Sequence, residues 1–161
     1  MMQATPQKEH DWLCQIVGEW TYEHECLMGP DQPPAKFTGM ESVRSLGGLW
    51  VIGESQGEMP EGGTMTSIIT LGYDPTRQRF VGTFIASMMT HLWIYEGTLD
   101  AAGKVLTLDT EGPSFTDPAK RVRYQDIVEL QSADERLLYS QFLGEDGTWR
   151  RFLTARYRRK K

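Results

Sequence analysis

Three histidines, two cysteines and several carboxylates are the side chains of this sequence that could support catalysis or metal binding. His24 alternates with polar neighbours on the same face as Trp20 and Tyr22, so we expect it to point inward, where a hydrogen-bonded histidine is the commoner case. Zinc needs three or four ligands at set spacings, and His24 with Cys14 and Cys26 matches no such spacing. Neither a Gly-x-Ser-x-Gly elbow nor a phosphate-binding loop is present. We therefore predict no metal site and no catalytic residue.

A haem held through one histidine is the one cofactor that the sequence leaves open. His24 is one possible axial ligand, and His91, which begins an aromatic face, is the other. Because no further residue supports haem, we predict that the protein has no cofactor.

Carboxylates in β-like segments are the remaining candidates for chemistry: Glu54, Glu58, Glu96 and Asp126. Glu54 follows Trp50 and Ile52 at period two, which would place it inside with the means to act as a general acid or base. The alternative, which we favour, is that Glu54 pairs with Arg44 or Arg123, or that the strand presents its other face to the interior.

Aromatic and methionine side chains favour ligand binding over catalysis, since methionine adapts to varied apolar shapes. The same side chains would also fill a dry core, and core packing is the default interpretation for any one of them. We predict that the ligand-binding residues are Trp20, Tyr22, His24, Trp50, Glu54, Phe84, Met88, Trp93 and Tyr95.

The elements that position these side chains are predicted to be β-strands, preceded by one helix. Thr5 is the expected N-cap of this helix, with Pro6 as its first residue and Gly18 as its stop. From residue 19 the hydrophobic period is two, with turn signals every 8–12 residues and about ten strands. The β-rich run 80–99 is too long for one strand, so we divide it near 87–90.

About ten strands with no helix between them predict a closed antiparallel barrel, because closure removes exposed sheet edges. We expect a mostly β protein, a single domain over residues 1–161. The N-terminal helix (1–17) caps one mouth, the barrel spans 18–158, and 159–161 form a basic tail.

Charge is distributed unevenly over the 161 residues, whose net charge is −5. The last twelve residues carry +7 and the rest −12. The acidic body would repel phosphate backbones, so we expect no nucleic-acid partner. No run approaches the ~18 apolar residues of a membrane span, and the first residues lack a signal pattern, so we expect no membrane partner and a cytoplasmic location.

Short motifs follow one another along the chain: Leu71-Gly72-Tyr73-Asp74, Phe80-Val81-Gly82-Thr83-Phe84, Ser87-Met88, Tyr95-Glu96-Gly97-Thr98, Glu111-Gly112-Pro113, Arg123-Tyr124 and Tyr157-Arg158-Arg159-Lys160. This ordered set resembles the bacterial domain-of-unknown-function family 1579. The resemblance implies a calycin-like antiparallel barrel of roughly ten strands, and it implies no particular activity.

The sequence departs from that family pattern at two positions. Ala86 stands where the family usually carries Asp, and Gln125 stands where it usually carries Arg. If the two positions face each other inside the barrel, the joint change avoids an unpaired buried charge. We therefore hypothesise that an internal ion pair is absent here and that the interior is less polar.

Binding of a small apolar molecule inside the barrel is the function that these observations favour. The alternatives are an enzyme that uses Glu54 or His24 as an in-barrel acid or base, and a non-catalytic interaction protein, such as a homodimer formed through an outer sheet face.

Overall fold

The computed structural model describes residues 3–59 and 61–161 and contains one short helix and ten long strands. The elements are α1 (Lys8–Cys14), β1 (Gly18–Cys26), β2 (Ala35–Leu46), β3 (Trp50–Glu58), β4 (Thr64–Asp74), β5 (Arg79–Ala86), β6 (Trp93–Leu99), β7 (Val105–Pro113), β8 (Arg121–Leu130), β9 (Glu135–Leu143) and β10 (Trp149–Arg159).

The ten strands form a closed antiparallel barrel in which each strand pairs with its neighbours in sequence. β1 closes the ring by pairing with β10, where Tyr22 lies opposite Tyr157. Closure leaves no unpaired sheet edge, which is the physical reason such sequences favour a barrel. The predicted fold is confirmed, as is the division of the run 80–99, since β5 ends at Ala86 and β6 begins at Trp93.

The helix is shorter than the predicted segment 1–17, and it begins later. Its N-cap is Gln7, whose extended backbone precedes the first turn, rather than Thr5. The Nδ1 atom of His10 accepts a hydrogen bond from the Gln7 N–H at 2.9 Å, a local interaction that fixes the start at this position. The helix ends at Cys14 because residues 15–17 turn through tighter bonds to carbonyls three residues back.

Side chains from three directions hold α1 over one end of the barrel. His10 Nε2 bonds the Tyr73 carbonyl at 3.0 Å, and Trp12 Nε1 donates to the Gly103 carbonyl at 2.7 Å. Arg159, at the end of β10, donates to the Val17 and Gln15 carbonyls at 2.7 and 2.9 Å. The predicted basic tail therefore does not include Arg159, because its backbone belongs to the barrel and its guanidinium satisfies carbonyls beyond the helix end.

The apolar core lies at the helix-covered end of the barrel. It joins Trp12, Leu13 and Ile16 to inward-facing strand residues such as Leu71 and Leu106. Above this packed end, toward the opposite mouth, the interior is not filled. Among residues 3–59 and 61–161 there is no helix of the length and apolarity needed to cross a membrane.

Candidate ligand cavity

An internal cavity of about 320 Å³ extends through the barrel from the core residues Ile16 and Leu71 toward the mouth opposite α1. Met65, Met88, Met89 and Phe115 edge this mouth, and Met88 and Phe115 are largely exposed. At about 30 Å³ for each water molecule, the volume corresponds to roughly ten waters. It falls near the lower end of the range for small-molecule sites.

Apolar and aromatic side chains make most of the cavity wall. The wall also holds several polar side chains, which are drawn from strands far apart in sequence. The apolar lining includes Val51, Ile69, Leu71, Phe84, Trp93, Leu108, Val128, Leu138 and Leu153, and the polar lining includes His24, Glu41, Ser55, Ser67, Asp126, Arg136 and Ser140.

One polar centre of the cavity is the carboxylate of Asp126 on β8. The Tyr95 hydroxyl donates to its Oδ2 in a short hydrogen bond, and the Ser140 hydroxyl donates to its Oδ1 at 2.6 Å. Burial raises the pKa of Asp126, while the bonds from Ser140 and Tyr95 oppose that rise. The pKa of Tyr95 is raised by burial and by the Asp126 charge beside it. The three side chains therefore form one coupled hydrogen-bonded unit.

A second polar centre is the buried ion pair between Glu41 on β2 and Arg136 on β9. Both side chains are only 7% exposed. Ser55 donates to the other Glu41 oxygen at 3.0 Å. The guanidinium stacks 4.0 Å from the Tyr157 ring centroid and 4.7 Å from the Trp20 ring, in cation–π geometry. The charge of Arg136 is thus matched inside the protein.

His24 belongs to an aromatic cluster on the cavity wall. Its ring lies 4.3 Å from the Tyr22 ring and 4.9 Å from the Phe37 ring, and its Nε2 lies 3.2 Å from the Tyr157 hydroxyl. The Nδ1 atom of His24 is buried with no hydrogen-bond partner among the described residues. Burial lowers the pKa of His24 to about 4, so the ring is neutral near pH 7.

Six of the nine predicted binding residues line the cavity: Tyr22, His24, Phe84, Met88, Trp93 and Tyr95. Trp20 is buried but lies below the cavity, where its ring contacts Arg136 and Arg159 and its Nε1 donates to the Ile16 carbonyl. Trp20 supports the site without facing it.

Trp50 and Glu54 lie on the outer face of the barrel, which corrects their predicted place in the cavity. The Glu54 side chain is 55% exposed and lies 3.8 Å from Arg44. The ring of Trp50 lies flat over Gly72, where an added Cβ would sit 2.4 Å from the ring. The favoured alternative, in which β3 presents its other face, is confirmed, and Glu54 cannot act as an acid or base inside the barrel.

The inward face of β3 carries small residues instead of bulky ones. It consists of Val51, Gly53, Ser55 and Gly57. The Tyr22 hydroxyl occupies the space beside Gly57, since a Cβ there would come within 2.2 Å of it. Because these small residues make room for side chains from β1 and β2, the bulkier residues of β3 must point outward.

The hypothesis about Ala86 and Gln125 is also wrong. Ala86 is buried, whereas Gln125 points away from the cavity and bonds Asp109 at 2.8 Å and Gln141 at 2.7 Å. The two positions therefore lie on opposite faces of the barrel wall. The interior is more polar than expected, because it contains Asp126 and the ion pair of Glu41 with Arg136.

Three charged side chains that line the cavity, Asp126, Glu41 and Arg136, are absent from the predicted binding residues, although Asp126 is among the candidate carboxylates. Asp126 alternates with Tyr124 and Val128 on the inward face of β8, and this alternation was a usable signal. Glu41 and Arg136 had no comparable signal, because 95 residues separate them.

His91 lies outside the cavity, on an outer surface depression beside Leu92 and Ile94. Its Nε2 bonds the Glu111 carbonyl at 3.0 Å. Within the described part of the chain, no group of three or more His, Cys, Asp or Glu side chains is arranged to hold a metal ion.

Three solved structures share the fold of this chain. The crystal structure of Rv2717c from M. tuberculosis has a TM-score of 0.69 at 15% identity, covering 98% of this chain and 100% of its own. The structure of EF1p2_mFAP2b bound to DFHBI has a TM-score of 0.51 at 12% identity, covering 94% and 98%. A de novo designed fluorescence-activating β-barrel has a TM-score of 0.50 at 12% identity, covering 91% and 94%. At these identities the likeness shows the fold alone.

Sequence comparison gives the family. No curated protein matches the chain significantly. The family described as "Protein of unknown function (DUF1579)" matches residues 5–159, nearly the whole length. The chain therefore belongs to this family.

Proposed function

We propose that this protein binds a small, mainly apolar molecule inside its barrel. The observation that carries the proposal is the cavity of about 320 Å³, walled by apolar and aromatic side chains and reached through the mouth opposite α1. Protein interiors are normally packed to crystal-like density, and an unfilled cavity lowers the stability of the fold. A cavity of this size is therefore best explained by a ligand that occupies it.

The distribution of packing within the barrel supports this proposal. Leu106, near the helix-covered end, is completely buried, whereas Phe84, Leu138 and Leu153 keep partial accessibility although they face inward. Their accessible surface belongs to the cavity. An apolar ligand would remove that surface from water, at about 25 cal/mol for each Å².

The structurally similar protein EF1p2_mFAP2b is bound to DFHBI. That complex is compatible with the proposal, since a barrel of the same fold class can enclose a small molecule. For this chain, ligand binding is proposed on the basis of its own internal cavity.

Titration with the neutral fluorescent probe N-phenyl-1-naphthylamine tests the proposal. The probe brightens when it leaves water for an apolar site, so saturable enhancement at one probe per chain is the expected result. The blocking variant is Ser67→Trp. Ser67 lines the cavity, and its cross-strand neighbours Ser55 and Ala86 are both small, so an indole fits there and fills the space.

The matched control is Thr66→Trp, on the same strand but exposed on the outer face. Both variants add one tryptophan, so they are matched in the residue that is introduced and differ in the face that carries it. We expect Ser67→Trp to weaken probe binding at least tenfold and Thr66→Trp to leave it unchanged. Wild-type protein that shows no saturable enhancement would refute the proposal, as would a folded Ser67→Trp variant with wild-type affinity.

A further inference from the structure

The carboxylate of Asp126 is accessible from the cavity although protein surrounds it on every side. Asp126 lies on the inward face of β8, lines the cavity and keeps partial accessibility. That accessible surface can only face the cavity. A ligand in the barrel would therefore contact this carboxyl group directly.

Hydrogen bonding at Asp126 favours its ionised form and leaves acceptor capacity free. Tyr95 donates to one oxygen and Ser140 to the other. An ionised carboxylate has about four lone-pair sites, so each oxygen can accept one more hydrogen bond. Protonation would weaken the acceptor strength of the carboxyl oxygens, so the two donated bonds lower the pKa of Asp126 and oppose the effect of burial.

The charge of Asp126 is not balanced by the protein. Within residues 3–59 and 61–161, Asp126 forms no ion pair, and Arg136, the nearby cavity cation, is already paired with Glu41. His24 is neutral near pH 7 because burial lowers its pKa to about 4. The other groups that face Asp126 are the neutral hydroxyls of Tyr95, Ser140 and Tyr157. The cavity therefore holds a carboxyl group whose pKa is raised by burial and whose charge, once it ionises, is balanced by no cation of the described residues.

We propose that the cavity selects apolar ligands that bear a protonated amine, which Asp126 binds. This inference rests on the proposed function and adds the ligand's chemical class to it. An ammonium group supplies both the missing positive charge and up to three N–H donors. A carboxylate ligand would face Asp126 with like charge and no donor, and a desolvated like-charge contact is strongly unfavourable.

Competition against bound N-phenyl-1-naphthylamine at pH 7 tests this inference with three ligands of one chain length. Decylamine is cationic, decanol is neutral and decanoate is anionic, and their apolar chains differ by no more than one methylene, which contributes about 0.8 kcal/mol. We expect decylamine to compete at least tenfold more strongly than decanol, and decanol more strongly than decanoate. The test includes Asp126→Asn, which keeps the shape of the side chain and removes its charge.

Asp126→Asn should reduce the preference for decylamine over decanol to less than threefold, with both competitors measured against the probe affinity of the variant itself. The control is Glu54→Gln, which makes the same change in net charge on the outer face and should keep the full preference. If wild-type protein binds the probe but decanoate competes as well as decylamine, this inference is overturned and the proposed function stands. Equal preferences in wild type, Asp126→Asn and Glu54→Gln would also overturn it. A wild-type protein that binds no probe overturns the proposed function itself.

Discussion

Removing the guanidinium of Arg136 should destabilise the barrel more than almost any other single change. Arg136 and Glu41 are each only 7% exposed, and Ser55 is the other hydrogen-bond partner of the Glu41 carboxylate. Arg136→Met retains a long apolar chain against Trp20 and Tyr157, so the main effect is the loss of the partner charge. An uncompensated buried charge typically costs about 3–5 kcal/mol.

That cost is a large share of the stability of a chain this size, for which total values of about 5–15 kcal/mol are usual. For a domain of about 150–250 residues, each kcal/mol lowers Tm by about 2–4 °C, so Arg136→Met should lower Tm by roughly 6–20 °C. Glu41→Met leaves the opposite charge unpaired and should have an effect of the same order. The double variant removes both charges and should recover to within about 1–2 kcal/mol of wild type.

Urea unfolding followed by far-ultraviolet circular dichroism measures all four free energies of unfolding in one double-mutant cycle. We expect a coupling of at least about 2 kcal/mol between the two positions, since residues in direct contact couple strongly. Single variants that each cost less than about 1 kcal/mol would refute the reasoning. A double variant whose cost equals the sum of the single costs would refute it too.

Two further predictions concern other buried or capping groups. His24 has a folded pKa of about 4 against an ordinary 6.5, so its neutral form contributes stability that is present above pH 6.5 and lost as the pH falls toward 4. Between pH 7 and 5 this loss is about 2 kcal/mol. In urea unfolding, the free energy of unfolding should therefore fall more steeply with acid for wild type than for His24→Gln. Parallel falls in the two proteins would contradict the lowered pKa of His24. Arg159→Ala should cost about 2 kcal/mol and accelerate hydrogen exchange in residues 8–17, because it removes charge-assisted bonds to three carbonyls. The matched control is Arg158→Ala, since the Arg158 side chain is 55% exposed, and it should change the free energy of unfolding by less than about 0.5 kcal/mol. Equal effects of Arg159→Ala and Arg158→Ala would contradict the capping role of Arg159.

The barrel itself could be predicted from the sequence because each strand carries its own local signals. Period-two alternation marked β1 correctly, since its inward side chains Trp20, Tyr22 and His24 are also its bulkiest. Turn residues marked the strand boundaries to within a few positions. Both signals extend over fewer than a dozen consecutive residues, so they can be read from a single sequence without knowledge of the fold.

The inward face of β3 could not be predicted in the same way. Side-chain size is a reliable guide to burial only where the inward residues pack against a dense core. The space inside β3 is instead occupied by side chains from β2 and β1, the next two strands of the ring. Gly53 and Gly57 can be recognised as inward residues only when it is known that Glu41 and Tyr22 lie against them. The identity of those partners is a property of the closed structure.

The polar interior was missed for a related reason. The bond between Arg136 and Glu41 spans 95 residues, and its strands β9 and β2 are separated in the ring by β10 and β1. No periodicity in one sequence reports such a contact. Asp126 was visible as an alternating inward residue, but its importance depends on Tyr95 and Ser140, which arrive from two other strands.

A crystal structure of the protein saturated with N-phenyl-1-naphthylamine tests the central claim most directly. The account predicts electron density for the probe inside the barrel, in contact with Phe84 and Leu138 on the cavity wall. Density on the outer surface beside Leu92 and Ile94, with the barrel interior free of the probe, would contradict it.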